Sequence, residues 1–128
     1  MGPIPLDDDE TVYRAILRKQ WIDPDSKTIK PDAFIRRPVK DDDGLSVFRS
    51  RLVRPEEVAN RFRQCYGLCE LEVRAIRKLG LDVLTTREAD PAHAVIIGLP
   101  TRDENLLQAM NLAVELSKNA RLLPELCT

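Results

Sequence analysis

The stretch from Cys69 to Pro100 constrains the fold more than any other part of the chain. Cys69, Leu71, Val73 and Ala75 fall on alternate positions, with Glu70, Glu72 and Arg74 between them. A period of two gives an extended strand one apolar and one charged face, so a strand is expected through Ala75. Leu81, Val83 and Leu84 follow Gly80 as a second apolar segment. Ala94-Val95-Ile96-Ile97 is an unbroken apolar run closed by Gly98 and Pro100, which predicts a strand covered on both faces. His93, the one histidine of the chain, stands at the mouth of that run in Asp90-Pro91-Ala92-His93.

Upstream, Thr11 to Leu17 is rich in β-branched and aromatic residues and is expected to be a strand. Asp23-Pro24-Asp25-Ser26 and Lys30-Pro31-Asp32 read as turns, and Ala33-Phe34-Ile35 is a short apolar segment between breaks. Asp41-Asp42-Asp43-Gly44 turns the chain into a further strand at Leu45-Ser46-Val47-Phe48. Pro55, Glu56 and Glu57 suit the first turn of a helix, whose buried face would run through Val58, Ala59, Phe62 and Cys65 to a stop at Gly67. Thr101 and Glu104 have the spacing of a capping box, and Leu106, Leu107, Met110, Ala113, Val114 and Ser117 trace a helical stripe behind it. The expected fold is α+β, a mostly antiparallel or mixed sheet with two main helices in a single domain over residues 11–128. Residues 1–10, with Pro3, Pro5 and the run Asp7-Asp8-Asp9-Glu10, are expected to form a flexible acidic tail.

The chain has 128 residues, enough to bury a core without disulfide or metal. Its net charge of −1 gives no global case for nucleic acid or membrane. The charge is unevenly spread: residues 11–40 carry eight Lys or Arg against three Asp, a local balance of +5. Cys65, Cys69 and Cys127 are an odd set without zinc-ligand spacing, so reduced thiols, no metal and a cytoplasmic location are expected. No apolar leader region and no membrane-length apolar run is present.

Several polar residues interrupt apolar segments and are candidates for a site. His93 is the residue whose ordinary pKa suits proton transfer at neutral pH. Ser46 follows a glycine turn but lacks the G-x-S-x-G surroundings of a hydrolase nucleophile, so a hydrogen-bonding role is expected. Arg14, in the first strand, must point outward, pair with an acid or bind an anion. Arg36, Arg37, Arg49 and Arg51 are candidate ligand contacts, Arg49 and Arg51 sharing one face as a possible phosphate-reading stripe. If a pocket exists, Arg14, Ser46 and His93 should line it together.

The order Tyr13-Arg14, Trp21, Ala33-Phe34, Gly44-Leu45-Ser46-Val47 with Arg49, Gly80-Leu81-x-Val83 and Asp90-Pro-Ala-His93-Ala94 resembles a group of small uncharacterised bacterial proteins, cyanobacterial ones among them. The resemblance covers residues 12–100 and implies no activity. In its opening aromatic-Arg strand and later strand serine, the chain also resembles small ADP-ribosyltransferase-like toxins of the RES type. That likeness implies NAD binding through Arg14 and Ser46. The glutamate such folds often use has no recognisable motif here, Glu70 and Glu72 being the candidates.

The absence of P-loop, dinucleotide-binding, H-E-x-x-H and C-x-x-C motifs removes the common nucleotide and metal enzymes and leaves catalysis open. The first expectation is a small cytosolic interaction or accessory module acting on another protein, with no catalytic activity and no cofactor. The alternatives are an NAD- or nucleotide-directed enzyme, for which NAD would be the cofactor or substrate, and an RNA- or DNA-binding protein using residues 11–54.

Overall fold

The computed structural model describes residues 3–86 and 90–123. Six strands form one antiparallel sheet: β1 (Thr11–Ile16), β2 (Leu45–Arg49), β3 (Gly67–Glu72), β4 (Asp82–Thr85), β5 (His93–Ile97) and β6 (Arg121–Leu122), in the order β4-β5-β2-β1-β3-β6. Three helices accompany it among the described residues: α1 (Pro55–Ala59), α2 (Val73–Lys78) and α3 (Leu106–Asn119). The fold is α+β in a single domain, as the sequence indicates. No helix among the described residues is long and apolar enough to cross a membrane.

Strand alternation divides the core between the two faces of the sheet. On one face Val12, Ile16, Leu45, Val47, Cys69, Leu71, Ala94 and Ile96 pack with Phe34, Ile76, Ala113 and Leu116. The other face carries a smaller cluster of Tyr13, Ala15, Phe48 and Leu68 under Val58 and Ala92. The run at β5 lies in the sheet between β4 and β2, with Val95 and Ile96 both buried.

Three expectations are corrected. The alternation at Cys69 and Leu71 ends at Glu72, and Val73 opens α2. Val73 and Ile76 are buried three residues apart on that helix, so Val73 satisfies both periods and the sequence pattern did not separate them. The helix beginning at Pro55 stops at Ala59, one turn before Phe62, and Phe62 and Cys65 reach the second cluster from the following turns. The Thr101–Glu104 box forms, with Thr101 N–H donating to Glu104 Oε1 at 2.9 Å and Glu104 N–H to Thr101 Oγ1 at 3.3 Å, but it closes a turn. Asn105 caps α3 instead by accepting from Gln108 N–H, and the buried stripe runs through Ala109, Ala113 and Leu116. Leu106 and Leu107, expected inside, are 60% and 72% exposed.

Residues 3–10 also depart from the expected flexible tail. Pro5 bridges Leu84 along the outer edge of β4, and the Leu6 amide donates to the Val83 carbonyl. Leu6 and Glu10 are buried. Two apolar residues, Ile4 and Leu6, flank a proline that needs no ladder hydrogen bond, and this short segment covers an edge strand.

Candidate ligand-binding site

The site begins with a separation in the sheet. β1 pairs with β3 over six residues but with β2 over only two, Val12 with Arg49 and Tyr13 with Phe48. Beyond Tyr13 the guanidinium of Arg14 takes the place of the ladder. Its Nε donates to the Ala33 carbonyl at 3.0 Å and its Nη1 to the Ser46 carbonyl at 2.8 Å. Trp21 lies against it, 5.9 Å from ring centroid to Cζ.

Arg14 is 7% exposed, and no carboxylate of the described residues forms an ion pair with it. Burial draws its pKa down to about 10, which still leaves it charged at neutral pH. Asp41, whose charge acts on Arg14, is bound to Arg37 instead, through the Arg37 amide at 2.8 Å and Nε at 3.0 Å. Burial would raise the Asp41 carboxyl, but the hydrogen bonds and charge of Arg37 hold it below the usual carboxylate value. The sheet therefore contains a buried cation whose hydrogen bonds go to neutral carbonyls, an expensive arrangement without a counter-ion.

Ser46 and His93 follow from the register of β2 and β5. Phe48 pairs with His93 and Ser46 with Val95, so Ser46 and His93 are diagonal neighbours on the same face. His93 Nε2 lies 3.1 Å from Ser46 Oγ. Continuing the β4–β5 register past Thr85 and Ala94 sets Thr86 opposite His93, and Thr86 Oγ1 lies 2.9 Å from Nδ1. The Phe48 ring meets the imidazole edge-on at 5.5 Å. Gly44 makes the approach of β2 to β5 possible: its φ is +126°, and a Cβ there would stand 2.6 Å from the Ile96 carbonyl oxygen.

Arg14, Ser46 and His93 line one cavity of about 390 Å³, walled by Trp21, Phe48 and Phe62 and rimmed by Arg37, Lys40, Arg61, Asp41 and Asp90. That volume lies in the range of small-ligand clefts, roughly 300–1,000 Å³. The three residues thus meet, although Arg14 leaves β1 on the opposite face from Ser46; the opening between β1 and β2 brings its guanidinium through.

The other candidate arginines have different partners. Arg36 donates to the carbonyls of Asp41, Asp42 and Leu99 and holds the loop before β2 to the chain after β5. Arg49 and Arg51 do share a direction, but both face residues 7–10: Arg49 pairs with Glu10 and Arg51 with Asp7 and Asp9. Their charges are engaged by the acidic run and do not form an open phosphate-reading stripe. Glu70 pairs with Arg121. Cys69 is a free, buried thiol and Cys65 is half-buried, its Sγ donating to the Gly67 carbonyl at 3.2 Å; Cys127 lies outside the described residues. No group of three or more His, Cys, Asp and Glu among the described residues is placed to hold a metal ion.

Thr86 and Arg61 were not singled out from the sequence, and Trp21 entered only through the resemblance, not as a site residue. Thr86 is a polar residue just past a strand end, a common position, and only the register against His93 distinguishes it. Compared with protein-family models, curated proteins and solved structures, the chain matches none.

Proposed function

We propose that this chain binds a small anionic ligand in the cleft between β1 and β2, and that Ser46 and His93 serve there as a hydrogen-bonded pair for proton transfer. Among the classes left open by the sequence, this favours the NAD- or nucleotide-directed enzyme. The observation that carries the reading is Arg14: a buried guanidinium without a carboxylate partner among the described residues, at the wall of a ligand-sized cavity. Its Nη2 makes no hydrogen bond to a described residue, which leaves a donor for a ligand oxygen. Trp21, Phe48 and Phe62 supply apolar walls for a flat organic group.

The test is a thermal-shift screen of the protein with NAD, ADP-ribose, AMP and ADP, since a ligand bound only by the native state raises its melting temperature. At least one should raise it, and Ser46→Ala should diminish that rise while keeping the unliganded melting temperature. A screen in which none of the four shifts the protein would sink the reading.

A second reading, the cytoplasmic accessory module that acts on another protein without catalysis or cofactor, is favoured by one observation. Leu106 and Leu107 stand exposed together at the start of α3. Under that reading Ser46 and His93 form a structural hydrogen bond, and the ligand screen is flat.

A further inference from the structure

A second cavity of about 220 Å³ lies beside the first and shares Arg14, Trp21 and Arg37 with it. Arg18 and Arg102 complete its basic lining, with Asp32 as the one acid and Met110 of α3 closing the wall. Four arginines against one aspartate give a local balance of +3. Pairing of Arg37 with Asp41 reduces the effective balance to +2. Neither Arg18 nor Arg102 makes a side-chain hydrogen bond or ion pair with a described residue. Elsewhere arginines of this chain do have acidic partners: Arg49, Arg51, Arg54, Arg61, Arg77 and Arg121 are all paired. Arg63 and Arg74 likewise make no side-chain bond to a described residue and lie elsewhere, but Arg18 and Arg102 line one small concavity together with the buried guanidinium of Arg14.

We infer that this second cavity is the phosphate subsite of the cleft, and that the ligand is a phosphomonoester whose organic part lies against Phe48 and Phe62 beside Ser46 and His93. The inference rests on the anion-binding reading above and names its ligand class. A phosphomonoester carries about −1.5 to −2 charges at neutral pH, which matches the balance of the subsite. Its three terminal oxygens suit several planar guanidinium forks better than one. Trp21 borders both cavities, so a ligand spanning them passes its ring.

Trp21 is the one tryptophan of the chain, so its fluorescence reports on the subsite without a label. Titration of the wild type with AMP, and separately with inorganic phosphate, should give a saturable change, and adenosine should bind at least tenfold more weakly than AMP. Arg18→Gln with Arg102→Gln, two exposed positions whose side chains make no bond to a described residue, should keep the fold by circular dichroism. This double variant should weaken AMP at least tenfold and leave adenosine unchanged. Equal AMP affinity in the double variant and the wild type would overturn the subsite. In that case a thermal shift with any of the four ligands, diminished in Ser46→Ala, would preserve the first reading. Absence of both the thermal shift and the fluorescence change would remove both.

Discussion

Glu10 and Arg49 are joined by a two-pronged ion pair, Nε to Oε1 at 3.0 Å and Nη2 to Oε2 at 3.2 Å, that ties the acidic segment to the end of β2. The Glu10 side chain is almost wholly enclosed, and its backbone carbonyl accepts from Val73 N–H at the start of α2. Removing a buried partner leaves the other charge uncompensated, a loss of about 3–5 kcal/mol in fully enclosed pairs. Because Arg49 keeps some solvent contact, Glu10→Ala is expected to cost about 2–4 kcal/mol in urea unfolding. A loss under about 0.5 kcal/mol, the size usual for surface changes, would make the segment an appendage.

The same carboxyl sets an acid dependence. Burial would raise its pKa, but the Arg49 bond, the Asp7 amide and the charges of Arg49 and Arg51 outweigh that, and the net pKa is lowered from 4.5. Asp41 is likewise lowered from 3.8. For depressed carboxyls the unfolded state binds more protons, so stability rises with pH through the interval between folded and unfolded values. Their contribution is complete above about pH 5 and falls away as pH drops through 4 and below. Unfolding midpoints measured from pH 7 to pH 3 should decline mainly in that acid range, and less steeply in Glu10→Gln.

Ile96 in β5 should be among the costliest truncations. It is fully buried, pairs across to Leu45 on one side and Val83 on the other, and belongs to the larger core cluster. Ile96→Ala combines lost transfer free energy with a cavity and is expected to cost about 2–5 kcal/mol. Equilibrium denaturation checks it, and a cost below about 1 kcal/mol would contradict the burial.

The strands were legible where one period dominated. TVYRAI, LSVF and HAVII each became a strand, because apolar residues on both faces left no helical alternative that closes a core. Val73 was misread because it is the last apolar residue of a strand pattern and the first of a helical one. Leu106 and Leu107 were misread because the Thr101–Glu104 box placed the helix start four residues early and rotated the expected stripe. In the site, Arg14, Ser46 and His93 stood out as polar residues in apolar strands. Thr86, Arg18 and Arg102 did not, because their significance comes from register and packing across the sheet, to which local sequence is blind. The acidic segment looked mobile from composition, since its partners Arg49, Arg51 and Arg77 lie dozens of residues away.

Cys69 should resist alkylation in the native protein. Cys69 is buried in β3, and burial pushes its thiol up to about 12 despite the opposing charge of Arg14. Thiolate is the reactive form, so Cys69 is protected by both access and protonation. Brief alkylation of the native protein at pH 8 followed by peptide mass spectrometry should find Cys69 unmodified, with Cys69 reacting only after denaturation. Modification of Cys69 at the same rate before and after denaturation would place β3 at the surface.

Thr86 holds the face of His93 turned away from Ser46. Its hydroxyl lies 2.9 Å from Nδ1 and 3.4 Å from the His93 carbonyl. If the hydroxyl donates to the carbonyl, it accepts from Nδ1–H, and Nε2 is then the lone-pair nitrogen facing the Ser46 hydroxyl. That tautomer lets His93 take a proton from Ser46; the opposite one has it donate to Ser46 instead. Under the proton-transfer reading proposed above, Thr86 is a positioning residue that chooses which nitrogen carries the hydrogen. Thr86→Val keeps the shape and deletes the hydrogen bond, at a stability cost of about 1 kcal/mol. Thr86→Ser retains the hydroxyl. In nitrogen-15 spectra of His93 the wild type should show one dominant tautomer, Thr86→Val a mixture, and Thr86→Ser the wild-type pattern again. Any ligand response that depends on Ser46 should follow the same order. An unchanged tautomer in Thr86→Val would show that other contacts fix the ring, and Thr86 would then be a strand-end residue with no part in the site.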